Sequence, residues 1–459
     1  MKSYNNLFTR LLTKDILIEA MKKAGKGKNK NNKRHQKLRE YRNNPEKYVD
    51  FFIEYIKNYE PKKHLIKIIN DGISAKKRKI VVPTAEEVVM HNAIVLVMKP
   101  ILEMGMYEHS YACIEGRGIH SAAKRIDKWI REEDNHNLSD EELLKIARKK
   151  NINPEYILHP SGKKNRKKYY SKVKYVFKMD IKQFFNSVNV DILMERFKKV
   201  IRDKKFLNLV IKVLRTVDNG LALGYTTSHW FANYLLTPLD HYIKEVLKIP
   251  YYVRFVDDLV LFSSNKKQLH RTKLAIEEVL ATEYDLELKG NWQVFMLSEL
   301  KPEAQNRIIE TKEKIEIHTT KVDNFNNRMT KKFGPNRVKV KLYKDSTKKV
   351  KEGRFLDFLG FKFCRRNILN PKSNRIGLRK TIALKIKRKA KHIYKKKFAN
   401  IRDARQIVTY ASYCKYTNCY SWFKKYVLKY VSISKMRKKI SEYDKQRNLA
   451  LGTPIYCTN

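Results

Sequence analysis

The order of hydrophobic and polar positions divides the chain into helix-like and strand-like segments. Apolar residues at helical spacing predict helices over 1–20, 46–75, 84–103, 189–217, 227–247 and 266–283. Short β-rich runs predict strands over 78–83, 173–181 and 355–364, and two strands joined by a tight turn over 251–263. Thr84 and Glu87 form a capping box that fixes the start of one helix. The pattern therefore predicts an α+β fold.

Two stretches lack this regularity. Residues 127–172 are polar and charged, with a possible helix at 139–150 and a basic loop at 162–168. Residues 296–352 lose hydrophobic periodicity and gain charge, which is typical of an insertion or a loosely built subdomain. The remainder of the chain, 371–459, is predicted to be mostly helical and is very basic.

Charge is the unusual part of the composition. The 459 residues include 100 Lys and Arg against 47 Asp and Glu, so the net charge is +53. The segment 21–42 is strongly basic, which is typical of a flexible arm or of a helix that forms only on RNA. So large an excess of like charge repels itself unless a polyanion neutralises it, and nucleic acid is the obvious polyanion. A bias of the genome toward Lys, Asn and Ile is the alternative origin of part of the excess.

Cysteine usage and the N-terminus predict a cytoplasmic protein. The five cysteines are odd in number and scattered, unlike a disulfide framework. Cys414 and Cys419 have no second pair to complete a zinc site, so we expect buried thiols. The N-terminus lacks the apolar segment and small-residue cleavage site of a secretory signal. No apolar run reaches the length of about 18 residues that suggests a membrane-spanning helix.

An Asp-Asp pair lies in the middle of the 251–263 segment. Two β-rich runs flank Asp257 and Asp258, which places both carboxylates at the tip of a packed hairpin. Adjacent like charges are unfavourable unless cations bind them. A plain turn is the alternative, because Asp is a common turn residue. The pair alone leaves both interpretations open.

A third acidic residue favours the cation site. Asp180 ends the predicted strand 173–181, whose flanking positions are apolar. Together with Asp257 and Asp258 it gives three carboxylates at neighbouring strand ends. Such a set suits two Mg²⁺ ions about 4 Å apart, the arrangement that supports in-line phosphoryl transfer. Little covalent chemistry is then required of the protein, and the sequence shows no Ser-His or Cys-His arrangement to supply it.

From about residue 76 to 425, the order of short motifs resembles the reverse transcriptase family. Phe255-Val256-Asp257-Asp258 is similar to the family's aromatic-x-Asp-Asp box. Asp180 with Phe185 resembles its first metal-binding motif and sugar-selecting aromatic. Further matching segments lie at 110–120, 220–229, 286–289 and 358–361. Several motifs in the right order are far more specific than any one of them.

The resemblance implies a right-hand polymerase that copies an RNA template into cDNA from dNTPs. Two Mg²⁺ ions are implied as cofactors, with metal contacts at Asp180, Ile181, Asp257 and Asp258. Contacts to the incoming nucleotide are implied for Ile181, Phe185, Gly224, Arg78, Lys79 and Arg117. For the three cations among them, general contact with the RNA backbone is the alternative. Lys289 matches a lysine proposed as an acid toward pyrophosphate, and a solvated surface charge is its alternative.

One motif departs from the commonest family pattern. Many members carry Gln-Gly and Ser-Pro in the loop at 223–229, where this chain has Leu223-Gly224 and Ser228-His229. This loop resembles the bacterial diversity-generating and unclassified, defence-associated branches. The resemblance implies a bacterial host, a structured noncoding RNA as a possible template and an anti-phage role. It leaves oligomeric state open.

The motifs also divide the chain into expected domains. These are a basic helical N-terminal extension (1–75), fingers (76–172), palm (173–295), charged insertion (296–352), palm end with primer grip (353–370) and helical thumb with tail (371–459). Ten of the twenty residues at 378–397 are basic and none is acidic. From this thumb segment we expect contacts to template-primer phosphates by Lys385, Lys387, Arg388, Lys389 and Lys391. The aromatic residues that follow, at 410–426, are predicted to pack in the core.

Two rival functions fit parts of the sequence. One is a maturase-like RNA-binding protein with an idle polymerase site, but the intact Asp180, Asp257 and Asp258 argue against it. The other is an RNA-synthesising polymerase, and the bulky Phe185 argues against that.

Overall fold

The computed structural model describes residues 3–26, 32–62, 64–71, 76–135, 171–297, 354–365, 376–415, 417 and 419–449. The predictions for 139–150 and 162–168 lie outside the described residues. The same is true of nearly all of the predicted insertion at 296–352.

The chain begins with helices and continues into a β-hairpin. The helices are α1 (Leu7–Leu11), α2 (Lys14–Ala24), α3 (Lys33–Asn43) and α4 (Val49–Lys57), and the hairpin consists of β1 (Leu65–Asp71) and β2 (Lys76–Val82). The helix predicted over 46–75 is therefore wrong beyond Lys57. Leu65, Ile68 and Ile69 have helical spacing, but the same β-branched run pairs along its whole length with β2.

A buried helix follows the hairpin. Helix α5 (Ala85–Leu102) starts at the predicted capping box: the Glu87 amide donates to Thr84 Oγ1 at 3.1 Å, and the Thr84 amide donates to Glu87 Oε2 at 2.8 Å. Apolar residues occupy most of its circumference because it packs against both α2 and the helix at Thr226–His241.

The centre of the molecule is a four-stranded antiparallel sheet. Its strands are β3 (Tyr175–Asp180), β4 (Tyr251–Phe255), β5 (Asp258–Ser263) and β6 (Gln293–Met296), in the order β4-β5-β3-β6. Alternate side chains bury opposite faces. Phe177 and Leu261 face the large core that contains α5, whereas Val176 and Phe262 face helix α6 (Ile119–Asn135) and a small C-terminal sheet.

Helices connect and cover these strands. They are α7 (Phe184–Ser187), α8 (Val190–Val200), α9 (Lys204–Leu214), α10 (Thr226–His241) with a π-helical extension Tyr242–Val246, and α11 (Lys266–Tyr284). The single helix predicted over 189–217 is wrong, because it is broken after Val200. At Ile201 the chain instead forms a parallel β-bridge with Tyr4. Asp203 then caps α9 by accepting from the Phe206 amide at 3.0 Å.

A small sheet and a helical unit complete the described chain. The sheet consists of β7 (Leu356–Phe358), β8 (Phe361–Phe363) and β9 (Ile376–Leu378), so the strand predicted over 355–364 is a hairpin. The helices are α12 (Lys380–Lys395), α13 (Ile401–Lys415), α14 (Tyr420–Phe423) with a π-helical extension Lys424–Leu428, and α15 (Ile433–Leu449). Of the aromatic residues predicted to be core, Phe423 is buried but Tyr420 is 66% exposed.

The residues that flank the segment 298–353 are paired with each other. Leu297 and Arg354 form a parallel β-bridge, and the Arg354 amide donates to the Met296 carbonyl at 2.7 Å. The two ends of the segment 298–353 are therefore neighbours.

The mixture of helices and small antiparallel sheets confirms the predicted α+β class. Among the described helices, none combines the length and the apolar character needed to cross a bilayer.

Candidate active site

The three predicted carboxylates meet at one end of the central sheet. Phe255 pairs with Asp258, so the turn between β4 and β5 consists of Val256 and Asp257. Asp258 lies directly opposite Asp180 in the register of β5 and β3. Val256 has φ of +58°, which is rare for a β-branched residue. The hairpin tip and the end of β3 thus place all three side chains together.

These carboxylates raise one another's cost of ionisation. Burial, reinforced by the charge of Asp180, raises the pKa of Asp257 to about 6. Burial also raises the pKa of Asp258, and the nearby Lys178 opposes that shift. Negative charge is therefore concentrated at this edge beyond what its surroundings neutralise.

Lys289 is joined to this cluster rather than being a free surface charge. Its amide donates to the Asp180 carbonyl at 2.9 Å, and its Nζ lies 3.1 Å from Asp180 Oδ2. The lysine is thus held at the carboxylate edge of the sheet by its own backbone. This position is within reach of any phosphate that binds beside Asp180.

Ile181 can contribute only through its backbone. Its side chain is buried, and its amide donates to the Asp257 carbonyl at 3.2 Å. That bond ties the end of β3 to the hairpin turn. Of its atoms, the carbonyl oxygen is the one able to contact a cation or a nucleotide.

The donor set suits a hard divalent cation. Carboxylate and carbonyl oxygens are the ligands that Mg²⁺ prefers. Among the residues that the structure describes, no group of three or more His, Cys, Asp or Glu side chains is arranged to hold a metal ion. Here the Lys289 ammonium partly neutralises Asp180 instead. Burial first, and the charge of Asp180 second, keep the pKa of Asp257 raised beside this ion pair.

We expect the metal-free protein to lose stability as the pH rises from about 4 to about 6. The folded state raises the pKa of Asp257 from 3.8 to about 6, so it binds more protons than the unfolded state in this range. The loss attributable to this group is about 2 kcal/mol. Urea unfolding in EDTA at several pH values measures it, and Mg²⁺ should restore stability above pH 6. Asp257→Asn should flatten the dependence; equal pH dependence in both proteins would contradict the assignment.

A cavity of about 960 Å³ opens beside Asp180 and Asp257. Arg78 and Lys79 line it from β2, and Lys289 also lines it. In the β1–β2 register Arg78 lies opposite Ile69 and Lys79 opposite Ile68, so the two cations project from opposite faces of the ribbon. They therefore approach a ligand in this cavity from different directions.

Phe184 and Phe185 have different surroundings. Phe184 is 1% exposed and belongs to the main core. Phe185 is half-buried, lines the cavity and meets the His229 ring edge-to-face with 5.4 Å between centroids. Gln183, with φ of +46°, turns the chain after β3. The two rings contact each other edge-to-face with 5.7 Å between centroids, and both residues line the cavity.

Two glycines let the 220–225 loop approach its neighbours closely. A Cβ on Gly220 (φ +70°) would lie 2.1 Å from the Phe185 carbonyl oxygen, and one on Gly224 (φ +118°) would lie 2.3 Å from that of Val81. The Val81 amide also donates to the Leu223 carbonyl at 2.8 Å. Gly224 thus joins the loop to β2, while the residues just before it line the cavity.

Arg117 lies apart from the other predicted nucleotide contacts. Its Nη1 donates to the Tyr107 carbonyl at 3.1 Å. It lines a separate cleft of about 480 Å³ whose other cations are Lys124, Arg125 and Lys128. The structure therefore does not bring Arg117 together with Arg78 and Lys79.

The predicted phosphate contacts on α12 also differ from one another. Arg388 and Lys391 are exposed. Lys387 lies over the Tyr426 ring, with Nζ 4.3 Å from its centroid. Lys389 Nζ donates to Asp403 Oδ1 at 2.6 Å, with its side chain 18% exposed. Lys385, like Lys387, is half-buried.

Sequence analysis missed Lys178. Its Nζ donates to the Asp357 carbonyl at 2.7 Å, and Arg379 bonds the Asp357 carboxylate. These hydrogen bonds link β3 to the β7–β8 hairpin, which carries the motif similar to the primer grip. The two-residue period of β3 places Lys178 on the same sheet face as Asp180, which could have indicated that Lys178 lies near the site. It does not indicate the bond to Asp357.

Comparisons with known proteins identify similar sequences among the reverse transcriptases. The family model "Reverse transcriptase (RNA-dependent DNA polymerase)" matches residues 61–363. The retron Ec73 reverse transcriptase of Escherichia coli is 30% identical over 110 residues, which cover 21% of this chain and 34% of that protein.

Solved telomerase structures are more distant. The truncated apo telomerase of Candida tropicalis has 13% identity and a TM-score of 0.35, covering 66% of this chain and 53% of that one. The Candida albicans telomerase in complex with a telomeric RNA fragment has 12% identity and a TM-score of 0.36, covering 85% and 61%. The chain thus spans about a third of the retron enzyme and less than two-thirds of either telomerase.

The family match covers well over half of the sequence and contains the whole carboxylate site. Together with the antiparallel sheet, the Asp-Asp hairpin and the order of the motifs, it settles the family and its right-hand fold. This chain belongs to the reverse transcriptase (RNA-dependent DNA polymerase) family.

Proposed function

We propose that this chain is an RNA-directed DNA polymerase that adds deoxynucleotides to a 3′ end on an RNA template. The observation that carries the proposal is the convergence of Asp180, Asp257 and Asp258 beside a cavity walled by Phe185. A cavity of about 960 Å³ has room for a nucleoside triphosphate. Carboxylates that could hold a cation and two cations that could hold phosphates, Arg78 and Lys79, line the same cavity, which suits a metal-bound triphosphate.

Each residue has a distinct role in this proposal. Asp180, Asp257, Asp258 and the Ile181 carbonyl hold two Mg²⁺ ions, which would activate the primer 3′-hydroxyl and neutralise the triphosphate. Arg78 and Lys79 hold the phosphates from two sides.

The remaining groups select the sugar and assist the leaving group. Phe185 lies under the sugar, and Gly224 keeps the nucleotide loop against β2. Lys289, held beside Asp180, is placed to donate a proton to the leaving pyrophosphate.

The domains follow the functional division. We assign the β1–β2 hairpin and α5 to the fingers, the central sheet with its helices to the palm, and the basic helices from α12 onward to the thumb. The hairpin 358–361 is the primer grip in this assignment, and its bond to Lys178 keeps it next to the catalytic strand.

Nucleic acid occupies the basic surfaces outside the nucleotide cavity. Arg117, with Lys124, Arg125 and Lys128, lines a cleft that suits a phosphodiester backbone better than it suits the incoming nucleotide. The partial similarity to a bacterial retron enzyme supports a bacterial host. We further propose that the template is a structured noncoding RNA and that the enzyme acts in anti-phage defence.

The direct test uses purified protein, a primed RNA template, dNTPs and Mg²⁺. We expect DNA whose sequence is complementary to the template. Sequencing the RNA that copurifies with the protein, and the DNA made from it, identifies the natural template. Tight RNA binding without any extension would favour the maturase-like alternative, and products made from ribonucleotides would favour the RNA-synthesising one.

RNA affinity is expected to fall steeply with salt. If about ten phosphates are contacted, the slope of log affinity against log salt is about −7 on single strands and about −9 on duplex. Replacing the exposed stripe Arg388, Lys391 and Lys395 of α12 with Ala should reduce the single-strand slope by about 2. Filter-binding titrations from low to moderate salt measure these slopes.

A neighbouring lysine provides the matched control. Lys389→Ala removes the same charge but breaks an internal ion pair with Asp403. It should lower the stability of the helical unit and leave the salt slope unchanged. Equal slopes for the triple variant and the unsubstituted protein would remove α12 from the nucleic-acid interface.

A further inference from the structure

A fully buried arginine lies three residues before Asp257. The Arg254 side chain, like that of Asp240 on α10, is 0% exposed. Arg254 Nε donates to Asp240 Oδ1 at 2.7 Å, and its Nη2 donates to Asp240 Oδ2 at 2.6 Å. Removal of either partner would leave a charge unpaired in the core. The two hydrogen bonds also fix the orientation of the guanidinium relative to the Asp240 carboxylate.

Other groups complete this network. Arg254 Nη1 donates to Asn233 Oδ1 at 3.0 Å, and Asn233 Nδ2 in turn donates to the Ala112 carbonyl at 2.8 Å. The Tyr252 hydroxyl donates to Asp240 Oδ1 at 2.7 Å. The guanidinium therefore has no freedom to rotate while α10 and β4 keep their places.

The same guanidinium reaches the turn that carries Asp257. Arg254 Nη1 also lies 3.4 Å from the Val256 carbonyl oxygen. Val256 is the residue with φ of +58°, a conformation that persists only where the surroundings enforce it. Its carbonyl belongs to the peptide unit that leads directly into Asp257.

Segment 109–111 fixes the outer edge of β4 at this residue. The Arg254 amide donates to the His109 carbonyl at 3.1 Å, and the Tyr111 amide donates to the Arg254 carbonyl at 3.0 Å. Both the backbone and the side chain of Arg254 are thus held by elements other than its own hairpin. The turn inherits its orientation from that of Arg254.

We propose that Arg254 is a positioning residue for metal binding: anchored by Asp240 and Asn233, it holds the Val256–Asp257 peptide and so aims the Asp257 carboxylate. This rests on the proposed function, since it assigns the carboxylates a divalent cation. Arg254 touches neither nucleotide nor metal, and it acts only through the turn. The alternative role for Arg254 is that of an internal ion-pair partner, which stabilises the fold around the central sheet and has no effect on metal binding.

Two variants separate these roles. Arg254→Lys keeps the buried charge but lacks the fork that reaches Asp240 and Val256 together. The double variant Arg254→Met with Asp240→Leu removes both charges, so neither is left unpaired in the core. Tyr251→Phe is the matched control, because it deletes a hydrogen bond from the same strand to the buried Glu133 and leaves the network around Asp240 intact.

The measurement is Mn²⁺ binding to the full chain, followed by electron paramagnetic resonance without nucleotide, alongside melting temperature. Both Arg254 variants should bind Mn²⁺ about tenfold more weakly, and extension should need correspondingly more Mg²⁺. Tyr251→Phe should lower the melting temperature and leave Mn²⁺ affinity unchanged.

The outcomes distinguish the two proposals. Unchanged Mn²⁺ affinity in a folded double variant would overturn the role of Arg254, and so would a loss of Mn²⁺ affinity in Tyr251→Phe that matches its loss of stability. If Arg254→Lys does not fold, the double variant gives the answer. Absence of Mn²⁺ binding by the unsubstituted protein would instead refute the proposed metal-dependent function.

Discussion

Asp257→Asn is expected to reduce primer extension by about 10³-fold or more while leaving RNA affinity nearly unchanged. The substitution keeps the shape of the side chain but removes a ligand charge from the turn between β4 and β5. In the proposed function the RNA is bound by basic surfaces that do not include that turn, so its affinity should not depend on this carboxylate. Extension of a primed RNA template under single-turnover conditions measures the first effect, and a binding titration measures the second.

The appropriate control is the same chemical change elsewhere. Asp191 on α8 is exposed and lies outside the site, so Asp191→Asn should extend primers at the normal rate. Near-normal extension by Asp257→Asn would show that the three carboxylates do not form the catalytic centre. A parallel loss of RNA binding would mean that the variant is damaged more widely.

Phe185→Ala is expected to raise ribonucleotide incorporation by about 10- to 100-fold while deoxynucleotide addition continues. The Phe185 ring lines the nucleotide cavity and is backed by the His229 ring, so it cannot easily yield to a ribose 2′-hydroxyl. Steric overlap with a packed wall discriminates more strongly than a missing contact does. Single-nucleotide addition with both sugar types measures the selectivity.

The adjacent residue serves as the comparison. Phe184 is fully buried, so Phe184→Ala should lower the free energy of unfolding by about 3–5 kcal/mol without changing sugar selectivity. If active Phe185→Ala enzyme retained full discrimination against ribonucleotides, the gate would have to be sought elsewhere in the cavity. The identity of the nucleic acid that this polymerase makes would then be open again.

The catalytic end of the sheet was predictable because its signals are local. Alternation predicts β3 and near-continuous β-rich runs predict β4 and β5, and Asp is rare inside such apolar runs unless something binds it. The three carboxylates therefore meet as expected. The bond between Lys178 and the β7–β8 hairpin spans a separation of 179 residues, and no local pattern contains that information.

The β1 strand was missed for a different reason. Leu65, Ile68 and Ile69 satisfy the helical period, and Ile66 with Ile68 satisfies the strand period equally well. The presence of β2 as a partner decides between them, which is a tertiary effect.

The positions of cations were the least predictable part of the site. Arg117 is close to the fingers motifs in sequence, yet it lines a different cleft from Arg78 and Lys79. Lys389 is one of many lysines on α12, and it is distinguished by the position of Asp403 on the next helix. In a chain with so many basic residues, composition identifies the ligand class and geometry identifies the individual contacts.

The β-bridge between Leu297 and Arg354 has a consequence for the history of this protein. Because the chain departs from β6 and returns at neighbouring backbone positions, the length of what lies between them exerts no mechanical pull on the catalytic sheet. Closing a flexible loop of twice the length costs only about 0.6 kcal/mol more. A change in the number of residues between Leu297 and Arg354 therefore need not move β6 or β7. The junction is a natural place for lineage-specific additions to accumulate.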